Sequence, residues 1–82
     1  MKGAAIVKGY VLIRLIPGFE SSAISQISVI PGVNDIILVF GRWDAIIYVE
    51  AKTLSSLSRL VISQIRGIQG VQATETLVAA AM

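Results

Sequence analysis

The stretch VNDIILVFGRWDAIIYVEA, residues 33–51, decides the fold. It contains two apolar runs rich in β-branched residues, Val33 to Phe40 and Ala45 to Ala51. The short polar turn Gly41-Arg42-Trp43-Asp44 separates them. Two such runs one turn apart predict an antiparallel β-hairpin, around which the remaining segments have to be arranged.

The segment before the hairpin predicts a strand followed by a short helix. Ala4 to Ile16 is mostly apolar and ends at Pro17-Gly18, a pair that favours a turn. Between Glu20 and Ile30, apolar residues recur with helical spacing until Pro31-Gly32 stops the pattern. We therefore expect one strand and one helix, in that order, ahead of the hairpin.

The segment after the hairpin predicts a longer helix and a last strand. Thr53 suits an N-cap, because its hydroxyl can accept a hydrogen bond from an otherwise free backbone N–H group. The apolar residues that follow recur every three or four positions, which lines one face of a helix that should stop by Gly70. These residues are Leu54, Leu57, Val61, Ile65 and Ile68. Val71 to about Ala79 is then expected to form the final strand.

The predicted order β-α-β-β-α-β is that of an α+β, ferredoxin-like fold, with a four-stranded antiparallel sheet and both helices on one face. An internal repeat supports it. Four residues recur at an offset of 38: Ile27, Ile30, Gly32 and Val33 correspond to Ile65, Ile68, Gly70 and Val71. Tyr10-Val11 corresponds to Tyr48-Val49 at the same offset. Two copies of one β-α-β unit explain this better than chance agreement among many Ile and Val residues. We expect residues 1–82 to form a single domain.

The composition indicates that one chain cannot cover its own apolar surface. Hydrophobic residues make up 55% of the chain and charged residues 15%, against about 25% charged residues in an ordinary soluble domain. The hairpin strands are apolar on both faces, although an antiparallel sheet with helices on one side normally keeps its other face polar. We expect the sheet of a second copy to cover this open face. Lys8 and Arg14 share a strand face with Tyr10 and Leu12, so they should lie on it or at its rim.

Several classes of function lose support. Charged residues interrupt every long apolar run, so we expect no membrane span, no signal peptide, no membrane partner and a cytoplasmic location. The net charge of +2 comes from scattered Lys and Arg residues, which argues against direct binding of nucleic acid. The sequence has no Cys and no His, the usual transition-metal ligands, and His is also the commonest general base. We predict that the chain is not an enzyme and holds no metal or other cofactor.

Two groups of polar residues are candidates for a ligand site. The turn Gly41-Arg42-Trp43-Asp44 combines a flexible residue, a cation, the only Trp and a carboxylate. Asp44 can accept an ammonium group there, and Gly41 lets backbone N–H groups approach a carboxylate. The alternative is an ordinary hairpin turn in which Asp44 bonds to its own backbone. Thr74 and Thr76 share one face of the last strand, although polar residues at that position also suit an edge strand.

The ordered set of motifs resembles the ligand-binding domain of the Lrp/AsnC regulators, often called the RAM domain. The residues that carry the resemblance are Pro17-Gly18-x-Glu20, Ile30-Pro31-Gly32-Val33, Val39-x-Gly41-x-Trp43-Asp44, Ile68-x-Gly70-Val71 and Thr74-x-Thr76-x-Val78. Two positions depart from the family pattern: Trp43 stands where the family often has Tyr or Phe, and Gln69 replaces the second Pro of the paired turns. Regulators of this family carry a helix-turn-helix domain before this region. In this sequence only Met1 to Gly3 precede the first predicted strand. We therefore expect a stand-alone RAM protein without a DNA-binding domain.

The resemblance implies a homodimer whose sheets pack together, with dimers assembling further into an octamer or decamer. It also implies an amino acid effector bound between dimers, near the hairpin loop and the last strand. The residues nominated for ligand binding are Gly41, Arg42, Trp43, Asp44, Thr74 and Thr76. A regulatory effect on transcription or metabolism would pass through a partner, such as an Lrp/AsnC-type protein. The alternatives are a purely structural oligomerisation module and an ACT-like regulatory domain, which shares the fold and ligand class but fits the turn less well.

Overall fold

The computed structural model of the protein describes residues 6–79, apart from the side chain of Leu60. The strands are β1 (Val7–Leu15), β2 (Val33–Leu38), β3 (Ala45–Ala51) and β4 (Val71–Val78), and the first helix, α1, is Glu20–Ser28. The second helix, α2, covers residues 54–66 in three consecutive parts: Leu54–Ser56 is α-helical, Leu57–Ile62 is π-helical and Ser63–Arg66 is α-helical. The predicted order of elements is confirmed. No helix among the described residues is long and apolar enough to cross a membrane.

The strands form one antiparallel sheet in the order β2-β3-β1-β4, so β2 and β4 are its edges. Successive side chains of a strand point to opposite faces. In β1, Val11 and Ile13 are fully buried beneath the helices, whereas Tyr10 and Leu12 point to the opposite, open face. This arrangement confirms the predicted ferredoxin-like fold.

Both helices pack on the same face of the sheet and form one core with it. Leu57, Val61 and Ile65 of α2 are buried at intervals of four residues, within and just after the π-helical part. Burying one such side chain stabilises the fold by about 1.5–3 kcal/mol relative to leaving it exposed. The other core residues are Ala23 and Ile27 of α1, Ile30 after it, and Val11, Ile13, Leu15, Ala45, Ile47 and Val49 of the sheet.

The N-terminal elements end earlier than predicted. Ala4 and Ala5, which the predicted first strand includes, lie outside the described residues. At its other end, β1 stops at Leu15, because Ile16 already belongs to the following turn and donates its N–H to Gly70 O at 2.8 Å. α1 ends at Ser28 instead of Ile30.

The hairpin strand β2 also ends before the predicted Phe40. It stops at Leu38, although Val39 N–H still donates a hydrogen bond to Asp44 O at 3.0 Å and so closes the loop. Phe40 lies beyond this last bond with its side chain fully exposed. The hairpin itself is confirmed.

The start of α2 confirms one prediction and contradicts another. Thr53 caps the helix as expected, since its hydroxyl accepts a hydrogen bond of 3.0 Å from Ser56 N–H. Leu54 was predicted on the buried face, and this prediction is wrong because its side chain is 57% exposed. Helical side chains lean towards the N-terminus, so the side chain of the first helical residue extends past the helix end instead of over the sheet.

The internal repeat appears as two matching turns, one before β2 and one before β4. Gly32 and Gly70 have φ angles of 101° and 102°, which favour glycine. The carbonyl of each accepts a hydrogen bond of 2.8 Å from a neighbouring segment, from Glu50 N–H to Gly32 and from Ile16 N–H to Gly70. A Cβ at either position would lie 2.6 Å from another side chain. Conformation and space therefore both require glycine in these turns.

Candidate functional site

The loop between β2 and β3, residues 39–44, holds four of the nominated ligand residues and is tied to β1. Asp44 is half-buried, and its Oδ2 accepts a hydrogen bond of 2.7 Å from Leu15 N–H. Asp44 N–H donates in turn to Ile13 O at 2.8 Å. The carboxylate thus bonds to a neighbouring strand, and not to its own backbone as the plain-turn interpretation assumed.

Arg14 holds the other side of this loop. Its Nη2 donates a hydrogen bond of 2.6 Å to Arg42 O, and its guanidinium carbon lies 6.0 Å from the centre of the Trp43 ring. That distance is at the outer limit of a cation–π contact. The predicted position of Arg14 on the open face is confirmed, but its contact with the loop was missed. The register of β1 against β3 brings the two together, and sequence spacing alone does not give that register.

Thr74 and Thr76 lie on the edge strand β4. They pair with Ile13 and Val11 of β1, so both side chains are on the helix-facing side of the sheet, where both are half-buried. Thr74, Ile13 and Ala45 form one row across the sheet. Thr74 and the start of β3 are therefore two strand spacings apart, about 10 Å. The loop and Thr74 occupy the same end of the sheet, with β1 between them.

Thr74 lines an open cavity at the junction of α2 and β4. The cavity has a volume of about 370 Å³, and its other lining residues are Arg66, Val71, Gln72 and Ala73. None of the nominated loop residues lines it. Within residues 6–79, the structure thus places the four loop residues on one side of β1 and the two threonines on the other, and the cavity that Thr74 lines includes none of the four.

Arg66, the last residue of α2, is absent from the residues nominated by sequence. Besides the cavity beside Thr74, it lines a neighbouring polar cavity of about 610 Å³ along α2, with Arg59, Ser58 and Ser63 among the lining residues. One feature of the sequence could have pointed to Arg66: it is a cation in the last turn of a predicted helix, a few residues before a strand with two hydroxyls. A further cavity of about 510 Å³, mostly apolar, lies between Pro31-Gly32, the end of β3 and α2.

The open face of the sheet has an apolar centre. Tyr10 and Tyr48 are direct partners on β1 and β3, with ring centres 5.3 Å apart and ring planes at 38°. Tyr10 is 43% exposed, Leu77 of β4 48% and Ile37 of β2 52%. The remaining residues of this face are Leu12, Ile46 and Ala73, and around them the charged Lys8, Arg14, Asp35, Glu50 and Glu75. We refer to this surface as the open face.

Tyr48 is bonded to Glu50 within the open face. Its hydroxyl donates a hydrogen bond of 2.6 Å to Glu50 Oε2. This bond, together with partial desolvation and the Glu50 charge, raises the pKa of Tyr48 from 10.0 to about 12. Lys8 lies directly opposite Glu50 on β1. The Tyr48 hydroxyl is protonated at neutral pH and donates this bond to Glu50.

Comparison with known proteins gives a match to one family and to several regulators. The sequence profile described as "Lrp/AsnC ligand binding domain" matches residues 9–81. The uncharacterized HTH-type transcriptional regulator PH1916 from Pyrococcus horikoshii is 38% identical over 72 residues, which are 84% of this chain and 48% of the regulator. The chain therefore spans about half the length of the curated relatives it matches. A homocitrate synthase from Sulfurisphaera tokodaii is 34% identical over 58 residues, 71% of this chain but 12% of that enzyme.

Solved structures of similar small proteins share the fold over almost their entire length. The structure of FFRP-DM1 superposes with a TM-score of 0.84 at 28% identity, covering 90% of this chain and 99% of that one. TTHA0845 from Thermus thermophilus gives a TM-score of 0.84 at 29% identity, covering 93% of this chain and 95% of that one.

Proposed function

The chain belongs to the family of Lrp/AsnC ligand-binding domains, and on this basis we propose that it binds an amino acid and acts as an oligomer. The match of the family profile over residues 9–81, which includes both the hairpin loop and β4, carries this proposal. The family and the regulators among its relatives identify the chain as a regulatory domain. We propose accordingly that it signals by binding and has no catalytic activity of its own.

Assembly through the open face is supported by its apolar centre. Burying a large apolar side chain that was exposed contributes about 1.5–3 kcal/mol. Tyr10, Ile37 and Leu77 are each about half exposed, so a partner sheet has several kcal/mol to gain by covering them. A two-fold axis would place the same apolar centre against itself, as isologous dimers do. We propose a homodimer of this kind, with dimers assembling into an octamer or decamer.

Light scattering at several protein concentrations tests the assembly. Tyr10→Asp places a charge at the centre of the open face and is expected to shift the protein towards the monomer. Val29→Asp is the matched control, because Val29 is 77% exposed after α1 and outside that face. A wild-type chain that is monomeric at micromolar concentration, or an equal effect of both variants, would contradict the proposal.

The ligand site in this proposal lies where chains meet. Within one chain, β1 separates the hairpin loop from β4, so a site that uses both groups needs a loop from a neighbouring chain. Asp44 would receive the ammonium group of the amino acid, with the loop backbone from Gly41 to Trp43 around it. Thr74 and Thr76 would supply hydroxyls, which make no hydrogen bond within residues 6–79 and so are available to a ligand.

Isothermal titration of the chain with each of the twenty L-amino acids tests ligand binding. We expect saturable heat from one amino acid or a small related group, and light scattering with the same panel shows whether binding changes the assembly. The absence of heat with every amino acid at millimolar concentration would contradict the proposed function.

One observation favours a second candidate, a purely structural oligomerisation module. The Asp44 carboxylate already accepts a hydrogen bond from Leu15 N–H, so its role can be to shape the loop for subunit contacts. In that case Asp44→Ala changes the assembly to the same extent with and without amino acids. In the amino acid proposal, the variant also abolishes the response to the ligand.

We propose that the signal passes through a partner protein in the cytoplasm. The relatives suggest two kinds of context, since a similar region occurs in HTH-type regulators and as a small part of a homocitrate synthase. An Lrp/AsnC-type regulator is thus one candidate partner, with transcription or metabolism as the process affected. Direct DNA binding by residues 1–82 is not part of the proposal, and a gel shift at moderate salt should show no complex.

A further inference from the structure

We propose that Arg66 and Thr74 form an anion-binding site at the edge of β4, and that this site takes the carboxylate group of the amino acid. The identification of the ligand as an amino acid rests on the proposed function above. The anion site itself follows from the cavity, the uncommitted cation and the free donors of β4, and can be tested without an amino acid.

The guanidinium of Arg66 is available to a ligand. Arg66 is exposed and makes no hydrogen bond or ion pair with any other residue of the segment 6–79. Arg14, by comparison, uses its guanidinium to bond Arg42 O and to contact Trp43. A guanidinium offers five N–H donors in a planar arrangement that fits the two oxygens of a carboxylate. Arg66 can therefore bind such a group without giving up an internal contact.

Among the described residues, the cavities around Arg66 are lined by apolar, polar and cationic groups and by no carboxylate. Thr74 and Gln72 are the polar residues that share the cavity of about 370 Å³ with Arg66. The neighbouring cavity of about 610 Å³ adds Arg59, Ser58 and Ser63. Neither Asp nor Glu lines either of them. The charges of these lining residues thus favour an anion over a cation.

The outer edge of β4 adds backbone donors at the same place. Ala79 N–H donates to Lys8 O of β1, and the residues that bond inward alternate along an antiparallel strand. The N–H groups of the odd-numbered residues, such as Ala79 and Leu77, therefore point towards β1. Those of the even-numbered Thr76 and Thr74 point away from it. Because β4 is an edge strand, these groups have no neighbouring strand to bond. Thr74 thus offers its N–H and its hydroxyl at the cavity that Arg66 also lines.

A structural role for Arg66 is the competing explanation. Arg66 lies in the last turn of α2, where a cation interacts favourably with the partial negative charge of the helix end. In that role, a neutral substitution would lower the thermal stability of the chain and leave anion binding at Thr74 unchanged. The two explanations therefore differ in their effect on a bound anion.

Titration of the isotope-labelled full chain with sodium acetate, followed by ¹H–¹⁵N spectra at constant ionic strength, tests the site. We expect saturable shifts of the Thr74 amide and the Arg66 Nε–H, and none with methylammonium chloride. Titration with inorganic phosphate below its second pKa, where it carries one negative charge as acetate does, identifies the kind of anion: a carboxylate site binds acetate at least as tightly. Shifts at Thr74 that do not saturate, equal shifts with methylammonium, or tighter binding of phosphate would overturn the proposal.

Arg66→Gln and the matched variant Arg59→Gln remove the same charge from the same helix. Charge-assisted hydrogen bonds contribute enough that Arg66→Gln should weaken acetate binding about tenfold. Arg59→Gln should change it less than about twofold, as expected of a charge without direct contact. Arg66→Lys keeps the charge but not the planar donors, and should recover part of the affinity. Equal losses in Arg66→Gln and Arg59→Gln would overturn the site.

The amino acid is tested separately. For any L-amino acid that binds the wild-type chain, Arg66→Gln should weaken binding of the free acid and leave binding of its α-carboxamide unchanged. If that amino acid binds Arg66→Gln and wild type equally, the inference fails while the proposed function stands. If no amino acid binds but acetate does, the proposed function fails while the anion site stands.

Discussion

The hairpin loop and the outer edge of β4 lie at the same end of the sheet, on opposite sides of β1, and use their polar groups differently. At the loop, Asp44 and the β1 residue Arg14 bond to backbone groups of the chain itself, at 2.7 Å and 2.6 Å. At the edge of β4, the side chains of Arg66 and Thr74 make no hydrogen bond within residues 6–79. Charges bonded within the chain stabilise the fold, whereas uncommitted ones remain available to a ligand. The charged residues of the loop motif therefore have a structural role within the chain, in addition to any role in ligand binding.

The glycines of the two regions predict the largest difference in stability. Gly70, before β4, has a φ of 102°, and a Cβ there would lie 2.6 Å from the Phe19 Cβ. Gly41, in the loop, has a φ of 128°, but a Cβ there would meet nothing within 4 Å. Gly70→Ala combines backbone strain with overpacking and should cost about 3 kcal/mol of unfolding free energy. Gly41→Ala carries the strain alone and should cost about 1–2 kcal/mol.

Urea unfolding of both variants at one protein concentration measures these costs, since stability depends on concentration if the chain assembles. The slopes of the transitions should match that of the wild type. An equal cost at both positions would mean that Phe19 moves aside, and that the turn before β4 is no tighter than the loop.

Asp44→Ala is expected to have the next largest effect. It leaves the N–H of buried Leu15 without its partner, which costs about 1–3 kcal/mol of unfolding free energy. Asp35→Ala is the matched control, because within residues 6–79 the exposed Asp35 carboxylate accepts only from the N–H of its neighbour Ile36, at 2.9 Å. Asp35 lies on the open face, so both variants are unfolded at a protein concentration at which the chain is monomeric. This control should cost less than about 0.5 kcal/mol. Chemical denaturation of both variants checks the difference, and equal costs would show that the bond to Leu15 does not hold the loop.

Local pattern was sufficient to predict most of the fold. The order of elements, the Thr53 cap and the buried stripe of Leu57, Val61 and Ile65 depend on neighbours in sequence, and all are confirmed. Leu54 was wrong because periodicity gives the face of a helix but not where the sheet beneath it ends. The end of β1 was overrun for a related reason, since the hydrogen bond that follows it, from Ile16 N–H to Gly70 O, comes from a distant segment.

The contacts of the candidate site were harder to predict because they depend on register. Asp44 and Leu15 are 29 residues apart, and only the pairing of β1 with β3 brings them together. Arg66 was missed because it belongs to no motif, and its significance comes from the strand that follows the helix. A polar turn was visible in the sequence, whereas the partners of its charges were not.

Thr74→Val separates ligand binding from stability at β4. The substitution removes a hydroxyl and keeps the shape of a side chain that makes no hydrogen bond within the described part of the chain. Unfolding free energy should therefore change by less than about 0.5 kcal/mol. Affinity for acetate should fall about fivefold, the value of one hydrogen bond of about 1 kcal/mol. Thr76→Val is the control, because Thr76 does not line the cavity of Arg66. If Thr76→Val has the larger effect on acetate, the site lies further along the strand.

The smallest expected effect concerns Tyr48, a polar group of the open face that is bonded within the chain like those of the loop. Its pKa is raised from 10.0 to about 12, chiefly by the hydrogen bond to Glu50. The folded chain therefore holds this proton more tightly than the unfolded chain. The resulting stabilisation is fully present below pH 10 and is lost as the pH rises towards 12.

Ultraviolet titration of tyrosinate in Tyr10→Phe isolates Tyr48, since these are the two tyrosines of the chain. Adding Glu50→Gln should lower the pKa of Tyr48, because the acceptor loses its charge and its strongest effect on the proton. If Tyr48 titrates near pH 10 with Glu50 present, the bond does not persist in solution, and Glu50 is free to pair with Lys8 or with a second chain. In that case the open face resembles the edge of β4 more than the loop, because its charged groups are not bonded within the chain and remain available to a partner.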